Sequence, residues 1–458
     1  VAQTLLTMSY ITNEALVVLE NELVIANRVE RQYSNEFAQT GAKIGATCNI
    51  RKPPRYKGTY GPPLNVEDTQ ESSIPVSLNY QFHVDVQFTT QDLALSMDMF
   101  KKRVLKPQIA TVANRIDSDT AQYAYLNTAG TLGTFGTSPN SLKLFTDARA
   151  VLAAEACPRE GEKNAVLDPI SMSSMVATVQ GLFNPQARIS EFLDTGMIAR
   201  EFGGLDWWED QNIPVFTTGA GGNGAANSAV LTTPVAGTAF LTSGWAQSGT
   251  VSTQGWQNST AVINVGDIIQ FANVYPVNPQ NRLQYGKTLR QFVVLPPGGF
   301  VVPPNGAAPP GLTFGAAALA AGTFNPITGQ YTSSGTGTLT LTIGDCCISG
   351  GQFQNVTAAP ASGAIITLNG STTPAANGGL VSPQNLVFHK YAYALAFADL
   401  PLPRGVEFAA RAYDDEDVGM SIRVVSQYTI NNDSEPTRAD VLYGPASLYR
   451  TLGIRVAG

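Results

Sequence analysis

The sequence predicts an α+β chain interrupted by an all-β domain, and three observations carry that expectation. First, Leu78, Tyr80, Phe82, Val84, Val86 and Phe88 alternate with Asn79, Gln81, His83, Asp85 and Gln87. Period two over this length predicts a half-buried strand. Second, from Phe100 the apolar positions step by three or four, through Val104, Ile109, Val112 and Ile116 to Thr120 and Tyr123. That is one face of a long helix. Third, between Thr217 and Phe388 only Asp267, Arg282, Lys287, Arg290 and Asp345 are charged, among Gly, Thr, Ser, Asn and alternating apolar residues. This predicts a separate all-β insertion. Charges return from Phe388, so the chain leaves one domain, builds another and comes back.

Composition sets the bounds. The 458 residues exceed what one core organises, so two or more folding units are expected. Charged residues are 14%, against roughly 25% in ordinary soluble domains. With 43 Gly and 28 Pro, the chain should be rich in strands and turns. A net charge of −7 suits poorly a protein that wraps nucleic acid, because phosphate neutralisation supplies most of that affinity. Cys48, Cys157, Cys346 and Cys347 show neither zinc spacing nor a disulfide framework. They are expected as small buried residues in a reducing compartment. The start Val1-Ala2-Gln3 carries no signal-peptide pattern, and no run approaches the roughly 20 apolar residues of a membrane helix.

Taken in order, residues 5–37 predict a helical arm. Thr12 or Asn13 can cap it, with Glu14 in the first turn, where the helix dipole favours an anion. Leu16, Leu19, Leu23 and Ala26 form its stripe, and Glu20, Glu22, Arg28, Glu30 and Arg31 lie opposite. Residues 41–77 are punctuated by Gly and Pro and read as a long two-stranded flap. Its charged tip holds Arg51, Lys52, Arg55 and Lys57, stiffened by Pro53 and Pro54, with Glu67, Asp68 and Glu71 beyond. Pro107 either kinks the long helix or opens a second one. A linker at 128–137 leads to a helix over 141–156, a short strand at 165–167 and a helix over 171–180. Residues 204–216 close the α/β portion. Inside the insertion, strands flank Gly266-Asp267, Leu339, Leu341 and Ile343 alternate with Thr, and 364–368 is a strand. Afterwards Tyr391, Tyr393, Leu395 and Phe397 alternate, and strands are expected over 420–430 and 440–455.

The search for chemistry assigns no catalytic, cofactor-binding or metal residue. Gly219-Ala220-Gly221-Gly222-Asn223-Gly224 has dinucleotide-loop glycines. No apolar helix follows, and no acidic residue stands about 20 positions on, so it reads as a flexible loop. His83 and His389 are the only histidines, which excludes a metal site with His spacing. His83 belongs to the solvent face of its strand. No nucleophile elbow is present. Asp414, Asp415, Glu416 and Asp417 lack the spaced ligands and glycine of a calcium loop. They read as a solvated acidic turn or a contact for a basic partner. The basic run Arg51, Lys52, Arg55 and Lys57 has only Tyr56 as a stacking aromatic. Subunit contact is the preferred reading for it, ahead of a solvated tip and of nucleic acid.

Several blocks together resemble the major capsid proteins of tailed double-stranded DNA bacteriophages, in the branch with an extra β-domain. They are Gly41-Ala42-Lys43-Ile44-Gly45 with Arg51-Lys52-Pro53-Pro54-Arg55-Tyr56, and Phe88-Thr89-Thr90-Gln91-Asp92-Leu93-Ala94-Leu95. Asp147-Ala148-Arg149-Ala150 with Leu182-Phe183-Asn184-Pro185 also match, as does Asp206-Trp207-Trp208-Glu209-Asp210-Gln211-Asn212-Ile213-Pro214. The resemblance covers most of residues 1–216, with a weaker echo after 386. It implies a Hong Kong 97-type capsid fold. Residues 1–40 would be the N-terminal arm, 41–77 the E-loop, and 78–137 the peripheral domain with its spine helix over 99–127. Residues 138–216 would be the axial domain, 217–385 the inserted β-domain, and 386–458 the return strands. It also implies a non-enzymatic subunit of an icosahedral virion capsid, assembled in the host bacterial cytoplasm as pentamers and hexamers without a cofactor. The partners implied are a separate scaffolding protein, a portal protein, a decoration protein and enclosed DNA bound without sequence specificity; no membrane is implied. Glu14, Glu20 and Glu22 are then expected to meet the scaffold, and the basic flap tip to meet Asp414–Asp417 of a neighbouring copy. A tail-tube or decoration subunit is the alternative.

Overall fold

The computed structural model describes residues 19, 23–31, 47–64, 66–89, 106–159, 163–179, 201–219, 229–233, 235–256, 258–297, 300–301, 313–314, 324–325, 330–334, 338–368, 379–406, 408–413, 420–431 and 434–457. It divides the chain into two compact units. The first holds Val1–Ile50, Pro75–Ala121 and Tyr393–Ala446, and the second Arg51–Ile74, Gln122–Ala392 and Ser447–Gly458.

In the first unit the alternating segment is the strand Tyr80–Thr89. It pairs antiparallel with Ser434–Ser447, with Tyr80 opposite Tyr443 and Val84 opposite Ala439. The sheet continues from Ser434–Ser447 to Ser421–Ser426 and Phe408–Tyr413, with Tyr393–Phe397 on its other side. The long helix α1 spans Lys106–Asn127. Pro107 therefore lies in its first turn, where the missing N–H leaves no bond unmade. The expected segment Phe100–Leu105 lies outside the described residues. Ile109, Val112 and Ile116, positions of the expected stripe, are fully buried, as is Ala113. Polar groups fix the helix: Gln108 Nε2 donates to Val84 O at 2.8 Å, and Tyr443 Oη donates to the Asp119 carboxylate at 2.6 Å.

Three expectations are corrected here. The N-terminal arm is not one helix to residue 37. Ala26–Arg28 is a 3-10 turn, and Glu30 forms a parallel bridge with Ala394. The Asp117 carboxylate accepts the N–H groups of Val24 at 2.6 Å and Ala26 at 2.9 Å, which turns the chain. Leu19, Leu23 and Ala26 are nevertheless buried. Second, Tyr391 lies in a 3-10 turn over Lys390–Ala392. The strand Tyr393–Phe397 that follows is buried at every position rather than alternating. Third, 440–455 is not one strand. Ser434–Ser447 ends where the N–H groups of Leu448 and Tyr449 donate to Ala392 O. A 3-10 turn over Arg450–Leu452 then delivers Gly453–Val456 to a different sheet.

That sheet is the base of the second unit. Its order is Gly130–Leu132, Gly453–Val456, Asn385–His389, Lys163–Leu167, Leu205–Glu209 and Glu201–Phe202. Two helices cover it, α2 (Leu142–Ala154), capped by Ser141, and α3 (Pro169–Val179). Phe145, Leu152, Met172, Met175, Trp207 and Ile454 form the core beneath them. The chain departs through Val215–Thr217 and returns through Val381–Pro383, which pair antiparallel. The intervening segment builds a six-stranded sheet in the order Ile366–Leu368, Ile268–Phe271, Gln291–Leu295, Thr338–Gly344, Ser248–Gln254 and Val230–Leu231. A three-stranded sheet comprises Asn258–Asn264, Gln330–Ser334 and Phe324–Asn325.

Polar contacts join this β-rich segment to the base sheet. Gln291 imitates a strand partner: its Oε1 accepts from Thr131 N at 2.7 Å and its Nε2 donates to Thr131 O at 3.0 Å. Gly266 adopts φ 95°, and a Cβ there would meet Leu126 Cδ2 at 2.8 Å. Glycine is thus required at that turn. Next to it the Asp267 carboxylate accepts from Asn264 N at 2.7 Å and Gly219 N at 3.0 Å. Burial pushes this carboxyl up to about 7, despite those two bonds and the nearby charge of Arg455.

Candidate functional site

The flap is the segment whose sequence invited a functional reading; its two strands, Thr47–Lys52 and Ser72–Ser77, form a two-stranded sheet, and Arg51–Ile74 belong to the second unit. Between them the chain is irregular but tied. Lys57 N donates to the Glu67 carboxylate at 2.6 Å, Tyr56 Oη lies 3.4 Å from Thr69 Oγ1, and Arg51 pairs with Glu71 at 3.6 Å. Gly58 and Gly61 take φ values of 60° and 112°, conformations that side chains resist. The β-rich segment holds the flap from outside. Arg282 donates to Tyr56 O at 3.1 Å and Lys57 O at 3.3 Å. Gln352 Nε2 donates to Asp68 O at 2.6 Å. Arg282 itself has φ 57°, within a turn where Asn278 Oδ1 accepts from Gln280 N and Asn281 N.

The base of the flap is half-buried against aromatic rings. Lys52 Nζ lies 4.3 Å from the ring centre of Tyr449 and 5.1 Å from that of Trp245, a cation–π arrangement. Burial lowers the Lys52 ammonium to about 8; Asp345 pulls it up, and Arg450 and Arg55 each push it down by less. Arg55 is lowered too, by burial first, against upward pulls from Tyr449, Glu155 and Asp345. Beneath them Glu155 pairs with Arg290 and accepts from Tyr285 Oη. Arg450 Nη1 donates to Gln247 O at 2.7 Å and approaches Asp345 Oδ1 at 3.4 Å.

The tip is different. Tyr60, Leu64 and Val66 are 108%, 90% and 77% exposed. Three large apolar side chains on one tied loop form an adhesive surface.

Of the basic residues singled out by sequence, Lys52 and Arg55 are brought together in the flap's own recess, while Arg51 and Lys57 stay exposed. Glu14, Glu20, Glu22, Asp414, Asp415, Glu416 and Asp417 lie outside the described residues, as does the glycine run from Ala220. His83 is exposed and pairs with Asp85 at 3.1 Å, as expected for a solvent face. Cys346 and Cys347 are buried and Cys157 partly so. Among the described residues no group of three His, Cys, Asp or Glu side chains is placed to hold a metal. No described helix is long and apolar enough to cross a membrane. Sequence reasoning missed Trp245 and Tyr449, which no local pattern links to Lys52. It also missed Tyr60, Leu64 and Val66. Their signal was present: large apolar residues in a Gly/Pro-rich stretch with no amphipathic period.

Comparison with known families matches residues 3–299 to the P22 coat protein family, described as P22 coat protein, gene protein 5. Comparison with curated proteins returns no match. Among solved structures the chain is similar to one from Mycobacterium phage Che8, at 10% identity and a TM-score of 0.37, covering 95% of this chain and 90% of that one. It is similar to the capsid structure of the cyanophage P-SCSP1u, at 9% identity and a TM-score of 0.40, covering 95% and 88%. The mature capsid of bacteriophage PhiM1 gives 10% identity and a TM-score of 0.35, covering 91% and 82%.

Proposed function

The chain belongs to the P22 coat protein family, and we propose that it builds an icosahedral shell by pressing its flap tip onto a neighbouring copy. It is a structural subunit of a phage capsid, located in the virion, and it associates with copies of itself. The observation that supports the flap's role is the exposure of Tyr60, Leu64 and Val66 on a loop whose base is fixed. A loop held in place before contact loses little entropy on binding. Each apolar side chain buried contributes on the order of 1.5–3 kcal/mol before the costs of association. Arg51 and Lys57, exposed beside the tip, are in our reading the groups that meet Asp414–Asp417 of the neighbour. An exposed pair is worth about 0–1 kcal/mol, so these charges tune the contact that the apolar tip makes.

In this reading the architecture is of Hong Kong 97 type. Residues 41–77 serve as the E-loop, 99–127 as the spine helix and 217–385 as the inserted β-domain. Pentamers and hexamers assemble in the host cytoplasm, with a scaffolding protein received by Glu14, Glu20 and Glu22, and with a portal. The subunit carries out no reaction. Negative-stain microscopy of the concentrated, purified protein tests the shell directly. Closed, roughly spherical particles are expected, and cylinders would assign it to a tube instead.

A further inference from the structure

The recess under the flap holds more positive than negative charge. Lys52 and Arg55 enter it from the flap, Arg290 and Arg450 from its floor, and the carboxylates lining it are Glu155 and Asp345. Each carboxylate is already engaged by a floor arginine, Glu155 by Arg290 and Asp345 by Arg450. Among the described residues neither Lys52 nor Arg55 has an ion-pair partner. The cations also press on one another. Arg450 and Arg55 disfavour the charge on Lys52, and Arg290 that on Arg55. Asp345 offsets this for Lys52, and Tyr449, Glu155 and Asp345 offset it for Arg55, while the burial of both cations stays uncompensated. Polar atoms there are left without partners among the described residues: Ser72 Oγ, on a side chain 4% exposed, and the Nε atoms of Arg290 and Arg450. Buried donors of this kind call for an acceptor.

We propose that this recess binds a free tetrahedral oxyanion of the phosphate class, which clamps the base of the flap to the β-rich segment. Guanidinium groups match the oxygens of such an anion in a way a chloride ion cannot reproduce. An anion here offsets the surplus charge and supplies acceptors for the unpartnered donors. The site favours a small ion over a polyanion, because the chain as a whole carries a net charge of −7 and its field opposes a long phosphate polymer.

The test is titration of the purified full-length subunit with inorganic phosphate, by calorimetry and by thermal melting, with ionic strength held constant by sodium chloride. One phosphate per subunit is expected, with a melting temperature above the chloride-matched control. Arg55→Gln should weaken binding at least tenfold. Arg55→Lys, which keeps the charge and the packing but loses the planar fork, should weaken it several-fold and covers the case in which Arg55→Gln does not fold. Lys57→Gln, an equal loss of charge on the exposed part of the same loop, should bind as the parent does. The proposal is overturned if phosphate acts no differently from chloride, if folded Arg55 variants bind like the parent, or if Lys57→Gln loses as much as Arg55→Gln. Binding of a short single-stranded oligonucleotide without binding of inorganic phosphate also overturns it.

Discussion

At the base of the flap Lys52 lies between Tyr449 and Trp245, over a floor made by the Glu155–Arg290 pair. A few residues further along the same loop, Tyr60, Leu64 and Val66 stand almost wholly in solvent. The base is charged and half-buried, and the tip is apolar and exposed, the reverse of the usual distribution. The difference separates two tasks. At the base, the Tyr449 and Trp245 rings hold the Lys52 ammonium over the buried Glu155–Arg290 pair, so a displacement there loses those contacts. Exposed apolar surface is adhesive and indifferent to direction. A loop combining them presents a sticky end at a fixed position.

The largest effect should come from beneath the base. Glu155→Gln leaves Arg290, itself only 6% exposed, without its carboxylate. A loss of about 3–5 kcal/mol is expected, read from urea unfolding of the subunit. A loss below about 1 kcal/mol would mean that the floor does not carry the flap.

The connection of the β-rich segment to the base sheet should respond to pH. The Asp267 carboxyl sits at about 7 when folded, against 3.8 as its ordinary value. The folded state therefore holds this proton more tightly than the unfolded chain does. Its contribution favours folding below about 4, fades as pH rises towards 7, and is absent above. The full span is on the order of 4 kcal/mol at about 1.36 kcal/mol per unit. Asp267→Asn, whose side-chain oxygen can still accept from Asn264 and Gly219, should lack this slope. Unfolding free energies of parent and variant at pH 4.5 and pH 8 check it. The parent should lose more stability than the variant between the two.

A smaller effect distinguishes the two halves of the flap. Trp245→Ala removes one ring from Lys52, worth about 0.5–2 kcal/mol. Tryptic cleavage after Lys57 should then speed up severalfold. Tyr60→Ser in an otherwise unchanged chain should leave that cleavage rate alone. Equal acceleration by both would show that base and tip are not mechanically separate.

What the sequence revealed followed distance along the chain. The alternation from Leu78 to Phe88 and the stripe through Ile109, Val112 and Ile116 are local periods, and both appear in the fold. So does the turn at Gly266-Asp267. The unbroken strand expected over 440–455 failed because the main-chain acceptor that ends it, Ala392 O, belongs to another part of the chain. The helical arm failed for the same reason at Asp117. At the flap, Lys52 and Arg55 looked like surface charges because the rings and carboxylates around them are supplied by residues 155 to 450. No spacing rule predicts that enclosure. The apolar tip was visible as a composition, but a non-periodic apolar residue in a loop carries no direction until the fold shows it uncovered.

The measurement closest to the central claim is assembly of a full-length subunit carrying Tyr60→Ser, Leu64→Ser and Val66→Ser together. These side chains are uncovered in the free subunit, so its melting temperature should match the parent's. Sedimentation and negative-stain microscopy at a concentration where the parent closes into shells should show unassembled subunits, at low and at high salt alike. Shells of normal yield from the folded triple variant would contradict the account and move the contact elsewhere on the subunit.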